Sequence, residues 1–348
     1  MTIISSCLLA LCHAAAMSAG SAIPVTAPHI AYAPVLDEEP EQAPLSPTIP
    51  DDQAVASAIR ALQPLGPTSA LSDGEGGVRI GKIELFEGGK LLLTNGVATV
   101  EGSSGGGIAR WGTIGGRQMP GGIGLSAHAT AIELPDFSWR SYGVLLGVDD
   151  RLELSVSRAD FDTRDVGTAL GIGQGYTFNL DTFGAKLRLA GDLVYGESWL
   201  PQIAVGIEHK RSRDADLVRA IGAADDEGTD YTLSATKLLL ARSVLVNATL
   251  RYTEANQLGL LGFGSAGEGY NLQFEGSLGY QLSRRAVIGA EYRTKPDILG
   301  LGEDDWLDLF AAYALTDHLT LTAAYVDLGS IATFPDQRGG FLSAQVAF

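Results

Sequence analysis

From Lys90 to the C-terminus, polar and apolar side chains alternate in segments of 9 to 14 residues, and this period of two restricts the chain to strands with two chemically different faces. The clearest segment runs from Tyr270 to Leu282. Tyr270, Leu272, Phe274, Leu278, Tyr280 and Leu282 share one face, while Asn271, Gln273, Glu275, Ser277 and Gln281 share the other. Similar alternation recurs over 151–157, 202–210, 244–252, 286–295, 305–315 and 318–325. A soluble sandwich would turn such polar faces to bulk water, whereas a closed barrel in a bilayer turns them to an enclosed polar lumen and the apolar faces to lipid.

Connection lengths choose between these. Short turns at Asp149-Asp150, Ala241-Arg242, Ser283-Arg284-Arg285 and Thr316-Asp317 alternate with long loops over 162–175, 211–228, 257–269, 296–304 and 330–339. That asymmetry is expected of an outer-membrane barrel with periplasmic turns and extracellular loops. Counting back from the C-terminus gives strands near 340–348, 318–330, 304–315, 286–296, 270–281, 243–255, 229–240, 199–210, 176–190, 151–161, 137–147, 121–133, 107–115 and 90–100. The fold class is therefore all-β, an antiparallel transmembrane β-barrel of about fourteen strands, with twelve as the alternative because the first two are the least regular. Trp139, Trp306 and Tyr252 are expected near the long-loop rim, and Trp199, Tyr280 and Tyr313 near the short-turn rim, as interfacial rings. The final strand, with Leu342, Ala344, Val346 and Phe348 on one face, would be an exposed edge in a soluble protein, and closure removes that edge. Its terminal Phe348 resembles the signal by which barrel-assembly machinery recognises outer-membrane proteins.

No apolar run of the 18 or so residues needed for a spanning helix follows the N-terminus. Residues 1–22 read as a signal peptide, with an apolar run over 3–16 and small residues from Ser18 to Ala22, although a positive N-terminal region is lacking. Both cysteines, Cys7 and Cys12, lie within it, so the exported chain would contain no thiol. Residues 23–80 form a Pro-, Ala- and acid-rich periplasmic extension with a short helix expected near 51–62, either a contact, a small plug or a helix without a role. The barrel is expected over 81–348. The formal charge of −17 divides into −7 before residue 76 (eight acids, one base) and −10 after it (33 acids, 23 bases), which makes nucleic acid an improbable partner.

Several runs carry a family resemblance: Gly89-Lys90-Leu91-Leu92-Leu93-Thr94, Ser198-Trp199-Leu200-Pro201-Gln202-Ile203-Ala204-Val205-Gly206, Gly228-Thr229-Asp230-Tyr231, Ser234-Ala235-Thr236-Lys237 and Ile331-Ala332-Thr333-Phe334-Pro335-Asp336-Gln337-Arg338-Gly339. Together they resemble a proteobacterial outer-membrane family called domain of unknown function family 3034, over roughly residues 81–348. The resemblance implies secretion and a barrel. It implies no catalytic residue and no ligand.

Phasing the strands by their apolar faces directs Glu153, Lys186, Arg188, Glu208, Lys210, Arg251, Glu275, Glu291, Arg293, Lys295 and Asp308 into the lumen. Arg158, Lys237 and Asp327 fall on the opposite phase and are expected near a rim or at a bulge. The inward charges either pair across the lumen and seal it, or line an aqueous path and orient a polar solute. Since side chains alone cannot fill so wide a bore, loops or the N-terminal segment fold inward, or a path exists. Short apolar runs in two loops (Ala169, Leu170, Ile172; Leu217, Val218, Ile221) would serve as constrictions or as surface helices. His128, His209 and His318 stand alone, the acidic clusters 225–227 and 303–305 lack calcium-loop spacing, and Gly102–Gly107 lacks the Lys and helix of a phosphate cradle. No cofactor or metal is expected. The leading reading is a passive pore or channel in the bacterial outer membrane for small polar or amphipathic solutes. The alternative is a closed barrel that anchors a partner through its N-terminal extension, and a barrel hydrolase is third.

Overall fold

The computed structural model describes residues 78–80, 83–85, 89–194 and 199–348. The expected leader, nearly all of the 23–80 extension and its helix lie outside the described residues. Twelve antiparallel strands form the wall: β5 (Gly122–Glu133), β6 (Ser138–Val148), β7 (Leu152–Asp162), β8 (Thr177–Ala190), β9 (Gln202–Ser212), β10 (Glu227–Leu239), β11 (Val244–Thr253), β12 (Asn271–Ser283), β13 (Ala286–Arg293), β14 (Trp306–Ala314), β15 (Leu319–Asp327) and β16 (Arg338–Ala347). Each pairs with its sequence neighbour, and β5 pairs with both β6 and β16, so the sheet closes on itself. The terminal strand has no free edge. The Phe348 amide donates to the Leu125 carbonyl at 2.7 Å, and the His318 ring stacks on Phe348 with centroids 5.0 Å apart.

The wall therefore has twelve strands and not the fourteen favoured by the sequence. The twelve segments expected from residue 121 onward are in place; the other two, 90–100 and 107–115, are absent from the wall. Residues 94–116 run instead through the lumen, buried throughout, with a two-residue hairpin of β3 (Val97–Ala98) and β4 (Ser104–Gly105). Two further short strands, β1 (Val78–Ile80) and β2 (Ile83–Leu85), add to the sheet where β2 runs parallel to the first residues of β5. The reason for the difference is chemical. Placed in the wall, 107–115 would show lipid either Arg110 on one face or Thr113 and two glycines on the other, and neither face is apolar enough.

Outward positions are apolar and exposed around the whole circumference, for example Val144, Val156, Phe183, Leu233, Leu250, Leu278, Leu309 and Leu342. A contiguous belt of this kind is stable in hydrocarbon and not in water. Among the described residues no helix is long and apolar enough to cross a membrane. The exceptions to outward apolarity sit toward the rims. The Lys237 amine reaches back to the Asp192 carbonyl at 2.9 Å, Arg158 pairs with Asp181 at 2.7 Å, and Asp327 pairs with Arg338 at 2.7 Å. Tyr252, Tyr280 and Tyr313 face outward as expected of interfacial rings, and Trp199 is exposed. Trp139 and Trp306 do not. Because Arg140 and Leu307 hold the outward phase, both indoles turn inward and bury, meeting edge to face at 6.4 Å.

Leu233 lies at the middle of β10, facing outward. Leu233→Arg is expected to destabilise the folded barrel by ~2–4 kcal/mol, measured by urea unfolding in lipid vesicles. A change within about 0.5 kcal/mol, as for ordinary surface substitutions, would show that this belt does not meet hydrocarbon.

Candidate functional site

Twelve strands spaced ~4.8 Å and tilted by about 40° enclose a backbone cylinder about 24 Å across, still too wide for inward side chains to fill. The plug, residues 89–121, occupies the remainder. It enters and leaves at the short-turn rim: Lys90 pairs with Asp150 at 2.6 Å and donates to the Ile114 carbonyl at 2.7 Å, and the Gly89 amide bonds the Arg117 carbonyl at 3.1 Å. Between these ends its glycines let the backbone lie against the wall. A Cβ on Gly106 would fall 1.9 Å from a Glu291 carboxylate oxygen, and Gly96 turns with φ +74°. Those close approaches leave the plug's amides within reach of wall carboxylates.

The middle of the lumen is an ion-pair cluster to which plug and wall contribute reciprocally. From the plug, Arg110 makes a two-point contact with Glu208 (Nε to Oε1 2.8 Å), pairs with Glu275 at 3.0 Å and meets Glu101 at 2.8 Å. Glu101, also from the plug, accepts Lys210 and Arg293, the latter at 2.5 Å. The wall completes the set: Lys210 pairs with Asp230 at 2.6 Å, and Arg251 pairs with Glu275 at 2.9 Å. Four acids (Glu101, Glu208, Asp230, Glu275) thus face four bases (Arg110, Lys210, Arg251, Arg293), all buried. Balance of this kind is what allows charge to persist out of water. Glu101, Glu208 and Asp230 bring oxygens within 4.8 Å of one another, as a cation site would, but Arg110 and Lys210 already hold the positive charge there.

The remaining sequence candidates divide by depth. Glu153 accepts the Ser104 and Gly115 amides at 3.1 and 2.8 Å, and its partner Lys186 donates to the Ser104 and Thr113 carbonyls at 3.0 and 3.1 Å. Glu291 accepts the Ile108 and Ala109 amides at 2.9 and 3.2 Å, with Ser277 at 2.6 Å and the Trp111 indole at 3.2 Å on its other oxygen. Asp308 lies across the strand pair from Glu291 with one oxygen unpartnered. Arg188 is half-buried and pairs with Asp150 at the short-turn rim. Lys295 lies just past β13, under the long loops, pairing with Glu303 at 2.5 Å. Sequence reasoning missed the two plug charges, Glu101 and Arg110, although opposite charges in a glycine-dense stretch that fits neither lipid nor water were a readable signal. The histidines stay apart: His209 is exposed on β9, His318 stacks on Phe348, and His128 is buried in the lumen.

Above the ion pairs the mouth is sealed by apolar side chains. Val100 and Ile108 of the plug, Trp139, Phe161, Phe178 and Trp306 of the wall, and Val218, Leu258, Phe263, Leu328 and Ile331 of the loops form one buried cluster. The two apolar loop runs contribute as short helices, Val166–Ala169 and Ala215–Ala220, with Leu170, Ile172, Leu217 and Ile221 packed on that cluster. The Tyr176 hydroxyl donates to Asp214 at 2.6 Å and ties one loop to the next; burial, with that carboxylate beside it, pushes the phenol up to about 12.

The family model described as "Protein of unknown function (DUF3034)" matches residues 94–345. The chain belongs to that family. No curated protein matches the chain. Among solved structures it is similar to a KdgM porin in complex with disordered oligogalacturonate (10% identity, 64% of this chain and 99% of that one, TM-score 0.42). It is also similar to a NanC porin (11%, 64% and 98%, TM-score 0.40) and to the outer membrane protein Omp33 of Acinetobacter baumannii (9%, 65% and 97%, TM-score 0.36). At such values the closed barrel rests on this chain's own strand pairing. The family match takes in the plug from residue 94 onward and reaches into the last of the twelve wall strands.

Arg110→Met would leave Glu208 and Glu275 buried without their plug cation, an expected cost of ~3–5 kcal/mol in urea unfolding. Glu101→Gln combined with Arg110→Met restores neutrality, and the pair should cost at least about 1 kcal/mol less than the sum of the single variants. Additive losses would show that the two plug charges do not act through one cluster.

Proposed function

We propose that this protein is a gated pore of the bacterial outer membrane, its long-loop rim outside and its short-turn rim in the periplasm, passing small polar solutes when the plug yields. The observation that carries this reading is the chemistry of the contact between plug and wall. At mid-lumen it consists of ion pairs and hydrogen bonds such as Arg110–Glu208, Glu101–Lys210 and Glu153–Gly115. Water and a polar solute can replace such contacts one for one, which they cannot do for a greasy core. The inward charges of the wall then have two roles, holding the plug in the closed state and facing solute in the open one.

The sealed mouth favours a second reading, a permanently closed barrel that serves as an anchor, because an apolar lid of loops is a larger barrier to water than the ion pairs below it. Planar-bilayer recording separates the two. With residues 96–114 replaced by a short Gly-Ser linker, a gated pore is expected to show step conductance at least about tenfold above the intact chain. Heat-dependent gel mobility would confirm that this variant is folded. A folded, plugless barrel that passes no current would overturn the pore and leave the anchor.

A further inference from the structure

Within the lumen, over residues 94–116, the plug is fastened to one side of the barrel, although at the short-turn rim Arg117 also bonds the Phe348 and Asp317 carbonyls. Every side-chain hydrogen bond and ion pair between residues 94–116 and the wall goes to β7 through β13, from Glu153 and Ser157 on β7 round to Glu291 and Arg293 on β13. Among the described residues none goes to β14, β15, β16, β5 or β6. The plug does lie against that wall, since a Cβ on Gly107 would sit 3.6 Å from the Phe341 ring, but it offers glycine and apolar surface there.

The unfastened wall has its own chemistry. Apart from Asp308 on β14, its inward side chains carry no carboxylate, ammonium or guanidinium group: β5 presents Ser126, His128 and Thr130, and β16 presents Ser343 and Gln345. They satisfy one another in part, Thr130 with Ser343 at 2.7 Å and Ser126 with Gln345 at 2.8 Å. Six other polar atoms of this wall are unpartnered. The Trp139 and Trp306 indole nitrogens, one oxygen of Asp308, the Ser141 hydroxyl, His128 Nε2 and Gln345 Oε1 are all buried with no hydrogen-bond partner among the described residues. Each of these side chains is at most 7% exposed. Their positions descend the wall. The two indoles stand at the long-loop ends of β6 and β14, Ser141 and Asp308 lie two residues further down, His128 lies opposite Gly143, and Gln345 lies opposite His128.

A buried donor or acceptor left unpaired costs about 1–3 kcal/mol, so six along one seam call for partners that the protein's own groups do not supply. We infer that this seam, between the plug and the wall of β14, β15, β16, β5 and β6, is the solute path, and that its solutes are uncharged hydrogen-bonding molecules of the sugar class. The inference rests on the reading of this barrel as a pore, and places the opening at the unbonded face, with the mid-lumen ion pairs kept as the clamp and not exchanged for solute. Hydroxyl groups complete the unpaired donors and acceptors without bringing charge into a low-dielectric slot. An anion would meet Asp308 beside Glu291. The plug need not leave its clamp; residues 94–116 need only separate from a face to which their side chains are not bonded, while the Arg117 contacts at the short-turn rim yield and the lid of Trp139 and Trp306 parts.

Swelling of vesicles carrying the full-length protein tests this, with arabinose as the neutral probe and gluconate and glucosamine as the charged ones. Arabinose is expected to enter at least about tenfold faster than either ion. Ser141→Phe, which fills the seam without removing a bond, should slow arabinose about tenfold in the intact protein and leave the plugless barrel unchanged; His128→Leu serves as a second seam variant if that one fails to fold. An intact protein that admits no arabinose while the plugless barrel does would overturn the seam and leave the pore. Gluconate entering as fast as arabinose, or seam variants without effect, would also overturn it. Silence from both proteins would overturn the pore itself.

Discussion

Width is the constraint from which the rest follows. Twelve tilted strands close on a bore of about 24 Å, and a wall that must show apolar side chains to lipid has only its inward positions left for polar ones. Water or protein must occupy that bore, and this chain places its own residues 89–121 there. Once a backbone runs through the lumen its amides and carbonyls need partners, and the wall supplies them from Glu153, Lys186, Asn247, Thr249, Glu275 and Glu291. The Arg110 guanidinium and the Glu101 carboxylate then help to fix where along the bore the plug sits, because each is paired with opposite charges of the wall at mid-lumen.

Two closures of different chemistry result. At mid-lumen the contacts are charge-balanced and hydrogen-bonded, favouring specificity of position more than net stability, since buried ion pairs lose much of their attraction to desolvation. At the mouth the loops contribute Val218, Leu258, Phe263 and Ile331 to an apolar cluster that includes Val100 and Ile108 from the plug. Plug and lid therefore share side chains, so movement of one is felt by the other.

Much of the wall was legible in the sequence because lipid enforces a strict alternation. Where Tyr270–Leu282 reads as two faces, the structure shows Leu272, Leu278 and Tyr280 outward and Glu275 and Ser277 buried within. The strand number was not legible to the same degree. Residues 90–100 and 107–115 have the length of real strands and are flanked by similar turn chemistry, so only the chemistry of their faces, such as Arg110 against Thr113 and two glycines in 107–115, separates a segment threaded through the lumen from a strand paired in the wall. Trp139 and Trp306 misled for a related reason: aromatic residues at strand ends suit the lipid interface, and only the phase set by Arg140 and Leu307 turns them inward. The lumen charges could be assigned a direction from periodicity, but their partners could not, since Glu101 and Arg110 reach them from sequence positions 98 to 192 residues away.

The central claim is that residues 94–116 are seated in the lumen and bonded to the wall. Hydrogen exchange of the membrane-embedded protein, read at the amides of Ile108, Ala109, Arg110 and Gly112, tests it most directly, because each of these donates to a wall side chain. Protection comparable to that of the amides of β10 and β11 is the predicted result. Exchange at the rate of an unstructured chain, with the wall strands still protected, would contradict it.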